Sequence, residues 1–455
     1  MLPFRSSLAG ILWPAITPPP GAALLSLLFQ LEQSQWLRPK VLVDQQFQQL
    51  AVLADFLWQA SPFFRTRLEF AGWSPGMPLD HALWQRLPVL ERATVQAGKK
   101  HLIVATPPPA HGRPMEFSTT GSLGMPVQGL GNELTHLFNS TLVVRNHLWH
   151  RRDLAGKFAA IRTKVTNGSY SQWGSIESAV FVTGPGVVLD IATDIERQLD
   201  WLCKEAPDYL LTHPSNLRRL MMLARERQVA LPSLKEVATF GEMLPEGIRD
   251  LATAVWNVPL VDVYSSEEFG NIALQCPQYP ENYHVQSENL MVEIVDECGK
   301  PCPSGRIGRV LVSTLHNFTM PLLRYAIGDY AEVGKPCLCG RGLPTLRRIV
   351  GRRRNMLFRP DGGCHWPSFP YEDLKPIGDF RQIQVVQHTR HELEVHLART
   401  NSFSAEVEAR FSEKLCELLR GRFTIRYRYS EVISPSSGGK YEDFVSLVET
   451  EPLSH

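Results

Sequence analysis

From about residue 193 to residue 263, short apolar runs alternate with amphipathic stretches, and this alternation sharply limits the folds open to the chain. Thr193 with Glu196 forms a capping box, and Ile195, Leu199 and Leu202 then share one helical face. Tyr209-Leu210-Leu211 reads as a short strand. Pro214-Ser215 opens a second helix with Leu217, Leu220, Met221 and Ala224 on one side. Val237 to Phe240 and Leu260 to Val263 read as two further strands. Strands separated by helices pair in parallel, so the pattern predicts an α/β domain with parallel-rich sheets.

The flanks differ from this centre. Roughly the first hundred residues read as helical; Gln46 to Trp58 places Phe47, Leu50, Leu53 and Leu57 at helical spacing, with Pro62 as a stop. The last hundred form a small α+β unit. Ile383/Val385 and Leu393/Val395/Leu397 alternate around a turn near Thr389. Val407, Phe411, Leu415 and Leu418 mark an amphipathic helix, and Phe423, Ile425, Tyr427 and Tyr429 alternate again. A boundary near Arg354 divides the chain into 1–353 and 354–455, as a length of 455 residues requires more than one domain. A hydrophobic share of 44% supports a sizeable core. A net charge of +1 gives no case for nucleic acid, and Arg352-Arg353-Arg354 reads as a solvated run. Pro14, Pro18, Pro19 and Pro20 interrupt the greasy stretch Leu8 to Leu31, so no membrane span is expected. Arg5 precedes it, but no small-residue cleavage site follows, and a cytoplasmic location is expected. Eight cysteines show no disulfide framework.

Several segments carry chemistry. Phe117 to Val127 packs hydroxyls and glycines that can turn a backbone tightly around a phosphate, although such runs are often plain loops. Tyr264-Ser265-Ser266-Glu267 follows an apolar strand; alone it reads as a strand end with two solvated acids, Glu267 and Glu268. Leu323-Arg324-Tyr325-Ala326-Ile327-Gly328-Asp329 contains what could be a surface Gly-Asp turn. Gly351-Arg352-Arg353-Arg354-Asn355 and Gly438-Gly439-Lys440 complete the series.

In this order the motifs resemble the adenylate-forming superfamily, and most of all its branch of phenylacetate-CoA ligases, CapK relatives and coenzyme F390 synthetases. The resemblance runs from about Leu87 to Phe444. It implies a large adenylate-forming domain with a small mobile lid. It also implies activation of a carboxylic acid by ATP as an acyl-AMP, followed by transfer to a nucleophile: the thiol of coenzyme A first, with a carrier-protein thiol or an amine as the other acceptors. Phe138, His147 and Trp149 hint at an aromatic or bulky apolar acid, in a pocket between Asn139 to Trp149, His213-Pro214 and Phe240. Ser118, Thr119, Thr120, Gly121, Ser122 and Gly124 would cradle the phosphates. Gly241 and Glu242 would lie along the nucleotide, Tyr264 would stack on adenine beside Ser265 and Ser266, and Asp329 would bind the ribose diol near Arg352. Glu267 would hold Mg²⁺, with Glu268 in that place if the register slips by one. Lys440 would act from the lid on the α-phosphate and the attacking carboxylate. Leu123, Met125 and Arg354 depart from the family pattern. Two other readings stand beside this one: AMP transfer without a thioester, as in the F390 synthetases, and a degenerate nucleotide-binding relative.

Cys337-Leu338-Cys339 brings two thiols together, and a tetrahedral zinc needs two more ligands. Cys276 and His284 are the leading candidates, a set that the resemblance also supports. Cys298 and Cys302 are the competing pair, and reduced cysteines without metal are the plain alternative.

Overall fold

The computed structural model describes residues 2–119, 126–369, 371–399, 401–433 and 442–448. Its frame is a twelve-stranded sheet that changes character halfway. Leu260–Ser266, Glu236–Phe240, Tyr209–Thr212, Phe158–Arg162 and Gly186–Asp190 lie side by side in parallel, with Gly168–Tyr170 as an antiparallel edge. On the other side of Leu260–Ser266 the sheet continues through Gly270–Gln275, Tyr283–Val285, Thr345–Arg352, Tyr325–Val333, Ile307–Thr314 and Leu290–Val295, all antiparallel.

The parallel half follows the sequence pattern. Helices Ile195–Glu205, Pro214–Glu226 and Ile248–Trp256 bury Leu199, Leu202, Leu217, Leu220, Met221 and Ala252 against Leu210, Val237 and Leu260. Asp194 rather than Thr193 caps the first of these, accepting from the Glu196 amide at 2.9 Å, because an Asx side chain two residues before the free N–H closes the tighter ring. Helix Glu133–Trp149 covers the opposite face, packed against helix Pro19–Ser34.

The N-terminal helices are Pro19–Ser34, Pro39–Ala60, Pro62–Phe70, His81–Arg86 and Arg92–Leu102. Pro62 both stops one helix and starts the next, since its missing N–H is spare at a first helical position and Ser61 caps that end. Leu50, Leu53 and Leu57 are buried in one core with the antiparallel half, which includes Ile272, Val312 and Tyr325. Leu90 forms a parallel bridge to Tyr325, so the chain after the helices docks directly on the sheet.

A separate four-stranded sheet forms the lid, ordered Thr424–Ser430, Glu392–Ala398, Gln382–Gln387 and Phe444–Ser446, with helix Ala405–Leu418 packed on it. Among the described residues no helix is long and apolar enough to cross a membrane.

Candidate active site

The parallel strands end along one edge, the usual place for a ligand in an open α/β sheet. Gly241 follows Phe240 with φ +77°, a conformation that a Cβ would strain, and turns Glu242 across the strand ends. Glu242 Oε2 accepts from the Ser215 amide at 2.9 Å, at the start of helix Pro214–Glu226. His213 Nδ1 lies 3.0 Å from the Phe240 carbonyl, and the two rings pack 4.6 Å apart.

The antiparallel half supplies the facing wall. Asp329 and Arg352 are cross-strand partners, and their side chains meet at 3.3 Å. The Tyr264 hydroxyl donates to Asp329 Oδ2 at 2.8 Å. Burial, reinforced by Asp329, holds that phenol well above its ordinary pKa, so it stays a donor. Buried Arg324 fixes the same strand: its guanidinium donates to Glu293 at 3.1 Å and to the Gln85 and Leu87 carbonyls, each at 2.7 Å. A cavity of about 620 Å³ lies between these walls and the lid, lined by Thr119, Gly241, Glu242, Tyr264, Ser265, Ser266, Glu267, Glu268, Asp329 and Arg352.

The two adjacent acids differ. The Glu267 side chain is 55% exposed and pairs with Lys164 at 3.6 Å. That of Glu268 is 4% exposed and faces Arg92 at 3.6 Å. Burial raises the Glu268 pKa against the pull of Arg92. Mg²⁺ prefers carboxylate oxygens, and both acids line the cavity, Glu268 positioned beside Arg92 and Glu267 exposed at the rim. Ser118 ends strand Pro114–Ser118, and the Thr119 hydroxyl accepts from the Val127 amide at 2.9 Å. Thr120, Gly121, Ser122, Gly124 and Lys440 lie outside the described residues.

Two residues expected beside the acyl group are committed elsewhere. His147 sits between Glu177 at 3.2 Å and Arg152 at 3.0 Å. Trp149 is buried between the guanidinium groups of Arg145 and Arg341, 4.9 and 4.3 Å from its ring. Phe138 stacks on His316 at 4.0 Å. Phe240, with the Arg162 guanidinium 5.8 Å above its ring, remains at the strand ends.

The four predicted metal ligands converge. The ligand atoms of Cys276, His284, Cys337 and Cys339 all lie within 4.8 Å of one another. Cys276 and Cys337 sulfurs are 3.8 Å apart, and Cys339 Sγ is 3.3 Å from His284 Nε2. Tetrahedral zinc with bonds of about 2.3 Å to sulfur has S···S edges of about 3.8 Å, so the donor set fits that ion. Cys298 and Cys302 take no part: the first is exposed, and the second lies near the Ile307 carbonyl.

No family model matches the chain. A phenylacetate-coenzyme A ligase of Thermus thermophilus is 31% identical over 168 residues, which is 36% of this chain and 38% of that protein. A phenylacetate-coenzyme A ligase of Pseudomonas putida is 24% identical over 169 residues, again 38% of its length. The matched stretch thus spans well under half of either relative. Over nearly the whole chain the structure superposes on a 2-hydroxyisobutyryl-CoA ligase in the postadenylation state with R3-HIB-AMP, at TM-score 0.70, 16% identity and 91% coverage of each chain. The chain has the adenylate-forming ligase fold. The resemblance to phenylacetate-CoA ligases expected from the motifs is present in the matched stretch.

Against the thioesterification state of the same ligase the TM-score is 0.59, at 18% identity and 89% coverage of each chain. Arg354 donates to Glu442 at 2.7 and 3.0 Å, and Arg218 of the large domain pairs with Asp443 at 2.8 Å. These contacts hold the segment just after Lys440 against the cavity.

Proposed function

We propose that this protein joins a carboxylic acid to a thiol, with coenzyme A as the acceptor, through an acyl-adenylate made from ATP. What carries the reading is the convergence of Thr119, Gly241-Glu242, Tyr264, Glu268, Asp329 and Arg352 on one cavity from segments far apart in sequence. Tyr264 presents an aromatic wall to the adenine, and the Asp329 carboxylate accepts from the ribose hydroxyls while Arg352 steadies it. Glu268 holds Mg²⁺, which neutralises phosphate charge when bound; Glu267 serves at the rim. Lys440 reaches the α-phosphate and the attacking carboxylate from the lid, where negative charge builds in the transition state. The acid lies against Phe240 and His213, whose rings suit an aromatic or bulky apolar group. Residues 354–455 rotate about Arg354 between the two half-reactions. Arg218, Arg225, Arg348 and Arg420 line a second cleft of about 930 Å³ between the large domain and the lid, which favours a phosphate-bearing acceptor over a simple amine. Cys276, His284, Cys337 and Cys339 hold a structural zinc, since four protein ligands leave no open position.

The test is carboxylate-dependent ATP–pyrophosphate exchange with Mg²⁺ across aryl, arylalkyl and aliphatic acids, followed by coenzyme A. Exchange with one acid class and acyl-CoA on addition of the thiol is expected. ATP binding without exchange for any acid would refute the reading.

A further inference from the structure

The segment from Ser118 to Pro126 contains hydroxyls and glycines but no lysine or arginine. Backbone N–H groups can cradle phosphate oxygens, but a triphosphate also calls for fixed positive charge. One guanidinium stands at the root of that segment. Arg92 is the first residue of helix Arg92–Leu102. Its Nη2 donates to Thr119 Oγ1 at 3.1 Å, and the same oxygen accepts from the Val127 amide, so Arg92 touches the point where Thr119 and Val127 meet. Its Nη1 lies 3.6 Å from Glu268 Oε1, and its side chain is 27% exposed. The guanidinium therefore spans the gap between Thr119 and the buried acid.

The surroundings fix it there. Leu90, two residues earlier, exchanges backbone hydrogen bonds with Arg324 and Ala326, both at the head of the strand that carries Asp329. Of the arginines that line the cavity, Arg352 meets Asp329, Arg354 meets Glu442 and Arg218 meets Asp443, whereas Arg92 stands beside Thr119 and Glu268, which line it.

We propose that Arg92 is the residue that grips the β- and γ-phosphates of ATP, handed over from Glu268 as that carboxylate takes the metal. The proposal rests on the reading of the cavity as an ATP site. In the contacts seen here Arg92 and Glu268 balance each other's charge. A divalent cation on Glu268 removes that partner and leaves the planar fork to two phosphate oxygens, whose geometry it matches. AMP has no such oxygens, so Arg92 separates ATP from AMP.

Calorimetric titration of the full chain with Mg·ATP and with AMP tests this, using wild type, Arg92→Gln and Arg92→Lys. Loss of one charge-assisted pair corresponds to roughly a tenfold or greater weakening, so Arg92→Gln should lose that much ATP affinity while AMP stays within about twofold. Arg92→Lys should recover part of the loss. Equal weakening for both nucleotides would mean that Arg92 only braces the loop, and unchanged ATP affinity would also overturn the proposal. Wild type that binds neither nucleotide would remove the ATP-site reading and this proposal together. Wild type that binds both beside a normal Arg92→Gln would remove this proposal alone.

Discussion

The thiol–imidazole cluster makes a prediction whose size can be worked out from its neighbours. The turn that carries Cys337 and Cys339 continues into Arg341 and Gly342, and these two residues hold the N-terminal helices. Arg341 Nε donates to Gln35 Oε1 at 2.7 Å, and the Gly342 amide donates to the Gln35 carbonyl at 2.8 Å. Arg341 also lies over Trp36 at 4.9 Å and Trp149 at 4.3 Å. A Cβ at Gly342 would fall 1.7 Å from the Leu37 carbonyl oxygen, so the approach is open to glycine alone. If zinc fixes the turn, Cys339→Ser loosens all of these contacts. Two hydrogen bonds at about 1 kcal/mol each and two cation–π contacts at about 0.5–1 kcal/mol each give roughly 3–4 kcal/mol. At about 2 °C per kcal/mol for a large domain, the unfolding midpoint should fall by roughly 6–8 °C. Scanning calorimetry with and without a zinc chelator, together with metal analysis of protein purified without chelator, reads both halves. One zinc per chain and similar destabilisation by chelation and by Cys339→Ser are expected. A metal-free protein whose midpoint responds to neither treatment would refute the reasoning.

Two further outcomes follow from single contacts. Asp443→Arg places a second guanidinium against Arg218 across the domain junction, so pyrophosphate exchange should drop by about tenfold while thioester formation from a supplied acyl-adenylate stays within about twofold; equal loss in both half-reactions would argue against an adenylation-specific latch. Burial, with His111 nearby, lowers the His316 pKa to about 4, so the imidazole is neutral when folded and charges more readily when unfolded. Its contribution to stability is therefore complete above the unfolded pKa of about 6.5 and is lost as pH falls toward 4, by up to roughly 3 kcal/mol. His316→Phe should flatten the acid limb of the unfolding midpoint against pH, and an unchanged limb would count against this account.

Local patterns were legible where one element's periodicity decides burial. Leu50, Leu53 and Leu57 lie on the inner face that their spacing predicts, and so do Leu217, Leu220 and Met221. The lid's strands and helix follow its alternation. Cys-x-Cys marked two members of the thiol–imidazole cluster, while Cys276 and His284 were set above Cys298 and Cys302 with the help of the resemblance, and the four do converge. The sequence does not choose between Glu267 and Glu268, since both lie in the turn between Leu260–Ser266 and Gly270–Gln275, where strand alternation has stopped. Arg92 escaped notice for another reason. It meets Thr119 and Glu268 only in the folded chain, and its one sequence signal is its place just after Leu87 to Leu90. His147 and Trp149 resembled pocket residues on a helix, but Glu177, Arg152, Arg145 and Arg341, which hold them in the interior, are scattered along the chain.

The change of strand direction at Leu260–Ser266 separates two inheritable tasks. Phe240, His213 and Arg162 stand at the ends of parallel strands, whereas Asp329 and Arg352 are fixed by pairing with each other in the antiparallel half. Mutations that reshape the first group leave the second group's register untouched. Under the proposed function, a lineage built on this sheet changes its acid through the first group and keeps the nucleotide through the second, and the seam is where the two histories meet.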